Sequence, residues 1–255
     1  MTQEGGGLRD EGNDTQGQKP DKKYGETPVL QDIDVDIYAG DFTVIMGSSG
    51  AGKSTLLYCL SGMDSLTGGE VFFKNQPITG LRERKMAALR AKEFGFVFQQ
   101  THLVSNLSLF ENVAVAGYAG KSADVNALAH ALLEQMNVAS AKNRLPNQVS
   151  GGEAQRAAIA RAMINKPALL FADEPTGALN KSNSQEVMNL LTGLNAQGQS
   201  ILMVTHDLRA ALRGNRLLYL EDGKILDELG LPTYRAEDEK ERETKISRWL
   251  SELGW

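Results

Sequence analysis

The run Gly47-Ser48-Ser49-Gly50-Ala51-Gly52-Lys53-Ser54, continued by Thr55, constrains the fold more than any other part of the chain. It satisfies GxxxxGK[ST], in which glycines let successive backbone N–H groups wrap a phosphate at the positive end of a following helix. Such a loop works between a strand and a helix, and both neighbours fit. Phe42-Thr43-Val44-Ile45-Met46 is an apolar run of strand length, and residues 53–60 read as a helix. In that setting Lys53 supplies a charge to the β and γ phosphates of a nucleotide, Ser54 a hydroxyl to Mg²⁺, and Thr55 a donor to the α phosphate.

A phosphate loop of this kind needs a second acid to hold and use the metal. Leu169-Leu170-Phe171-Ala172 is a second apolar strand, and it ends in Asp173-Glu174. Asp173 is expected in the Mg²⁺ shell, and Glu174 is placed to orient and deprotonate an attacking water. An acidic pair before Pro175 would by itself read as a solvated turn. Its pairing with Lys53 turns the reading toward chemistry.

The remaining chain reads as α/β. Residues 29–37, VLQDIDVDI, put Ile33, Val35 and Ile37 on one face and Asp32, Asp34 and Asp36 on the other, the two-residue period of a half-buried strand in an antiparallel sheet. Further strands are expected at 70–73, 94–98, 168–172, 201–205 and 216–220, and helices at 109–119, 123–137, 151–164 and 181–196. Residues 1–22 carry Gly5-Gly6-Gly7, Gly12, Gly17 and Pro20 without apolar periodicity, and are expected to form a flexible tail. Residues 230–255 are expected to hold an amphipathic helix with Ile246, Trp249, Leu250 and Leu253 on one face, docked on its own domain or on a partner. Cys59 lies in an apolar stretch and reads as a core residue.

Composition removes several function classes. The chain has 255 residues, of which 41% are hydrophobic and 23% charged, the balance of a folded globular protein rather than a disordered one. Lys and Arg number 27 against 32 Asp and Glu, so the net charge of −5 lacks the basic excess of a nucleic-acid binder. No apolar run is longer than 168–172, which falls far short of the ~18–20 residues of a membrane span, and the opening MTQEGGGLRDEG has no signal-peptide core. A soluble, cytoplasmic chain is the expectation.

Between the two phosphate-site segments stands Val149-Ser150-Gly151-Gly152-Glu153, followed by AQRAAIARAM. Together with the P-loop and the acidic pair, it resembles the LSGGQ signature of ATP-binding cassette (ABC) proteins, and the resemblance runs from about Tyr24 to Asp227. It implies a P-loop NTPase with a RecA-like parallel-sheet core, an antiparallel β subdomain and an inserted α-helical subdomain over about 100–160, in an ATP-binding domain at 23–229. It also implies ATP hydrolysis with Mg²⁺. Ser150 and Glu153 form the S-x-x-E capping box of a helix start, and that N-terminus with its two glycines is an exposed anion site. In the family the phosphate it meets belongs to a second copy, so a head-to-tail dimer with two-fold symmetry is implied. By the same resemblance Gln99 is the Q-loop glutamine that senses metal and γ-phosphate. His206 is the switch histidine that hydrogen-bonds the γ-phosphate, and Tyr24 is the aromatic that stacks on adenine. Two departures stand out: Glu153 replaces the usual signature glutamine, and Asn180 stands where the D-loop most often has aspartate.

The wording of GSSGAGKSTLL, ENVAVAG and ADEPTGALN resembles the macrolide-exporter and lipoprotein-release group, and the C-terminal residues resemble its bacitracin-export and peptide-resistance branch. The resemblance implies a transmembrane permease partner at the cytoplasmic face of the membrane, with 101–112, including Leu103, Val104 and Leu107, as the surface offered to it. It leaves two roles open: an ATPase subunit powering export of a peptide, lipid-like or antimicrobial substrate, and a regulatory ATPase that signals to an extracytoplasmic partner.

Overall fold

The computed structural model describes residues 13–120 and 123–255. In chain order the elements are β1 (Asn13–Tyr24), β2 (Thr27–Leu30), β3 (Asp34–Tyr38), β4 (Phe42–Met46), α1 (Lys53–Leu60), β5 (Gly68–Phe73), β6 (Gln76–Pro77), α2 (Glu83–Glu93), β7 (Phe94–Phe98), α3 (Leu109–Ala119), α4 (Val125–Gln135), α5 (Gly151–Met163), β8 (Leu169–Asp173), α6 (Lys181–Ala196), β9 (Ser200–Val204), α7 (Leu208–Ala211), β10 (Arg216–Glu221), β11 (Lys224–Gly230) and α8 (Glu239–Glu252).

Two sheets carry the molecule. One runs β11-β10-β4-β9-β8-β7, parallel throughout except for the antiparallel edge strand β11. The other is antiparallel, ordered β2-β1-β5-β6 with β3 paired to β1. Strands β4 and β9 are buried at every position, as unbroken apolar strands must be when both sheet faces are covered. Alternate side chains of β4 enter two separate cores. Phe42, Val44 and Met46 pack on the side of α3 to α6, and Ile45 packs on the side of α1 and the antiparallel sheet. Helices α3, α4 and α5 are inserted between β7 and β8. This is the expected parallel core with an antiparallel sheet and a helical insertion.

Three expectations need correction. Residues 1–12 of the expected tail lie outside the described residues, but residues 13–22 are not a tail: they form most of β1, which pairs with β3, β5 and, past a register shift, β2. The inward positions of β1 include Thr15, Gly17 and Lys22, so the strand has no apolar period to betray it. Second, 29–37 is not one strand. The chain breaks at 31–33, where Asp32 adopts a left-handed φ of 50°, although Ile33, Val35 and Ile37 are buried as expected. Third, Leu103 and Leu107 are half-buried, and Leu103 packs against the core rather than facing outward. The loop is held there by the buried Asn112, which accepts from the Val104 amide at 2.7 Å and donates to the carbonyls of Val104, Leu107 and Ser108. Val104 alone of the three is exposed.

The C-terminal helix docks on its own domain. Ile246, Trp249 and Leu250 are buried, Trp249 Nε1 donates to Asp227 Oδ2 at 2.8 Å, and Arg242 donates to the carbonyls of Leu212, Gly214 and Pro232. Cys59 is buried in α1, and burial pushes its thiol up to about 12, the inert state expected of a packed cysteine.

Candidate active site

Every candidate chemical group on the parallel sheet lies at a carboxyl end: Gly47 follows β4, Asp173 ends β8, His206 follows β9 by two residues, Gln99 follows β7 and Glu221 ends β10. That edge is where open α/β sheets bind ligands. The P-loop leaves β4 by a turn that only glycine fits. A Cβ on Gly47 would lie 1.9 Å from the Leu220 carbonyl oxygen, and one on Gly52, at φ 104°, would lie 2.9 Å from that of Val29.

Lys53 is buried at the first turn of α1, and its Nζ donates to the carbonyls of Gly47 and Ser48 at 2.9 and 2.7 Å. Burial pulls its ammonium below the usual lysine value, against the opposing fields of Glu174, Glu221 and Asp173. The ammonium itself is held along the loop by the two carbonyls. Ser54 Oγ donates to Asp173 Oδ1 at 2.8 Å, and the Tyr58 hydroxyl donates to Oδ2.

Glu174 has a left-handed backbone, φ 46°, fixed by its amide donating to the Val204 carbonyl at 3.0 Å. Such a strained residue persists where its surroundings over-determine it. Its carboxylate is bracketed from β9: Oε1 lies 2.7 Å from His206 Nδ1 and accepts from the His206 amide at 3.2 Å, and Oε2 accepts from Thr205 Oγ1 at 3.2 Å. A cavity of about 300 Å³ opens between these groups, walled by Ser49, Gly50, Lys53, Ser54, Thr55, Glu174 and His206. The P-loop, the acid and the histidine are therefore brought together as expected.

Other expected residues stand outside the cavity wall. Tyr24 is exposed, with its hydroxyl donating to Asp64 Oδ2 at 2.6 Å and Lys22 Nζ 4.8 Å from its ring centre. Gln99 is exposed and lies against Gly177, where a Cβ would come within 3.0 Å of its Nε2. Residues 150–153 form the start of α5, and none of them is among the described residues that wall the cavity. Their capping box is made in full: Ser150 Oγ accepts from the Glu153 amide at 3.2 Å, and Glu153 Oε2 accepts from the Ser150 amide at 2.8 Å. Those bonds hold the Glu153 carboxyl below its usual range. Asn180 caps α6, accepting from the Asn183 amide at 2.9 Å, which gives this D-loop position a local structural role.

Three residues at the site were not found by sequence reasoning. Tyr58 lies one turn beyond Ser54 on the same helix face, a spacing that could have flagged it. Glu221 accepts from Ser48 Oγ at 2.7 Å and from Tyr219 Oη at 3.2 Å, and no motif marked it. Gln155 is buried in α5, where Nε2 donates to the carbonyls of Phe98 at 2.9 Å and Pro175 at 2.8 Å. It ties the signature helix to the strand ends that carry Gln99 and Glu174.

The donors fit Mg²⁺. A hydroxyl and a carboxylate are hard oxygen ligands, and this ion is ordinarily held by one or two protein groups together with phosphate oxygens and water. Among the described residues no group of three or more His, Cys, Asp or Glu side chains is arranged to hold a metal alone.

Comparison with known proteins agrees with this geometry. The family model described as ABC transporter matches residues 30–177. The pyoverdine export ATP-binding/permease protein PvdT of Pseudomonas fluorescens (strain Pf0-1) is 45% identical over 212 residues, 80% of this chain but 32% of its own length. The chain thus spans about a third of that relative. Among solved structures, the dimeric ATP-binding cassette MJ0796 in a post-hydrolysis state bound to ADP and Pi superposes with a TM-score of 0.79 at 35% identity, covering 86% of this chain and all of that one. Cassette cbiO1 of Clostridium perfringens, part of the transporter complex cbiONQ, gives 0.80 at 26% identity over 96% of this chain and 98% of its own.

Proposed function

The chain belongs to the ABC transporter family as its ATPase domain, and from that premise we propose that it binds MgATP at the P-loop and hydrolyses it to drive a transmembrane permease. The observation that carries the proposal is the convergence of Lys53, Ser54–Asp173 and Glu174–His206 on one cavity.

In this reading Lys53 leaves the carbonyls of Gly47 and Ser48 for the β and γ phosphates, while the amides of the loop and the α1 N-terminus receive the remaining charge. Ser54 and Asp173 hold Mg²⁺, which neutralises charge on the phosphates when bound. Glu174 Oε1 or Oε2 takes the proton of the attacking water, and the bonds from Thr205 and His206 keep its carboxylate aimed at that task. His206 Nδ1 faces Glu174 Oε1, which leaves Nε2 to turn outward to the γ-phosphate. Tyr24, held by Asp64 at the edge of the antiparallel sheet, stacks on adenine, and Gln99 senses the metal from the end of β7.

The signature residues complete the site of a second copy. They cap a helix whose N-terminus is exposed and lies away from this chain's own cavity, and the dimeric state of the solved relative MJ0796 supports that arrangement. The permease meets the groove of about 400 Å³ beside Gln99, walled by Met63, Phe96, Phe98, His102, Ala116 and Arg161. That groove replaces Leu103 as the partner surface. We place the protein with exporters acting on hydrophobic or peptide-like substrates, peripheral to the cytoplasmic face of the membrane; the export role in the name of its pyoverdine relative supports this. No described helix is long and apolar enough to cross a membrane.

Replacing Lys53 by alanine tests the site. ATP affinity measured directly should fall by about 10-fold or more, because a charged phosphate contact is lost. Unchanged affinity would overturn the assignment.

A further inference from the structure

Tyr58 stands between the two working parts of the domain. On one side its hydroxyl donates to Asp173 Oδ2 while Ser54 Oγ donates to Oδ1 at 2.8 Å, so two donors from one face of α1 grip both oxygens of the acid. On the other side its ring packs against Phe98, with centroids 6.5 Å apart and planes tilted by 50°. Phe98 in turn meets His102 edge-on at 5.2 Å, and both residues wall the groove beside Gln99. Strands β7 and β8 pair in register with Phe98 beside Asp173, which brings groove floor and metal-site acid to adjacent strands.

We propose that Tyr58 is a positioning residue that fixes the carboxylate of Asp173 for the Mg²⁺ bound with the nucleotide. The proposal rests on the nucleotide-site reading above and deepens it. The terminal torsion of an aspartate is broad and roughly two-fold. With Ser54 alone the carboxylate can swing about one anchored oxygen, and a second donor removes that freedom. Hydrogen-bond partners of metal-ligating groups of this kind typically change metal affinity 10–100-fold. Its ring also leans on Phe98, so Tyr58 touches both the metal-site acid and a residue that walls the groove.

Tyr58→Phe removes the hydroxyl and keeps the ring on Phe98. ATP affinity of the full chain is measured in EDTA and across a MgCl₂ titration, together with thermal stability. Expected are an affinity in EDTA within twofold of the parent and an Mg²⁺ midpoint raised by about 10-fold. An unchanged Mg²⁺ midpoint overturns the proposal. So does an equal loss of affinity with and without Mg²⁺, which would mark Tyr58 as a general support of the fold. Lys53→Ala is carried alongside: if that variant binds ATP normally, the nucleotide-site reading fails, whereas a normal Tyr58→Phe beside a defective Lys53→Ala removes only the role of Tyr58.

Discussion

His206 Nδ1 lies 2.7 Å from Glu174 Oε1, so the acid that follows β8 is steered from the segment after β9 by a histidine whose own side chain is 68% exposed. The pair joins a half-enclosed carboxylate to a ring free to meet solvent or a second copy. His206→Ala should leave ATP affinity within a few-fold of the parent and lower kcat by roughly 100-fold, because both the aim of Glu174 and an outward contact to the γ-phosphate are lost. Steady-state hydrolysis and direct ATP binding check this. A loss confined to ATP affinity would place His206 in ground-state binding alone.

The two signature glycines should respond differently. Gly151 is exposed, and a Cβ there would meet Leu179 at an ordinary 3.5 Å, whereas one on Gly152 would lie 2.4 Å from Asn183 Oδ1. Gly151→Asp should therefore fold and bind ATP as a monomer but fail to hydrolyse it, since in the proposed dimer the new carboxylate would face the partner's phosphate. Gly152→Ala should instead lower the melting temperature, with a cost of about 1–3 kcal/mol typical of overpacking. Equal melting temperatures for the two variants would contradict the packing described.

Glu221 braces the P-loop through Ser48 and sets a negative charge beside Lys53, two effects of opposite sign for ATP. Glu221→Gln keeps a side-chain partner for Ser48 and removes the charge that repels phosphate, so ATP should bind about twofold to fivefold more tightly. Glu221→Ala should lose that gain because the loop loses its brace. Ser48 holds the Glu221 carboxyl below its usual range. The stability this contributes is present above the ordinary glutamate value of about 4.3 and is lost as pH falls through the lowered folded value. The difference in melting temperature between parent and Glu221→Gln should accordingly shrink on acidification.

How far the sequence spoke for itself depended on how local the signal was. The P-loop, the Asp173-Glu174 pair and the S-x-x-E cap are short patterns whose chemistry requires fixed spacing: the structure sets Glu174 on the wall of the P-loop cavity, bonds Asp173 to Ser54 and makes the cap in full. Strand β1 was illegible because its inward positions, Thr15, Gly17 and Lys22, are chosen by distant partners. Lys22 is buried against Asp64, with 2.7 Å between Nζ and Oδ1, and a Cβ on Gly17 would meet Leu60 and Val35. Helix α2 was missed for a related reason: Met86 is its one buried residue, and Arg90 anchors it by donating to the Gly62 carbonyl at 2.6 Å. Glu221 reaches the site from the neighbouring strand β10 and Gln155 from helix α5, contacts distant in sequence that no window of sequence reveals.

The central claim is that Glu174 acts on ATP in a site two copies share, and the most direct measurement is the mass of the Glu174→Gln protein in solution with MgATP, read together with its turnover. The variant should retain ATP and shift from monomer to dimer on adding it, while hydrolysis falls by roughly 100-fold or more. A variant that stays monomeric with MgATP and hydrolyses it at the parent rate would contradict both the role of Glu174 and the shared site.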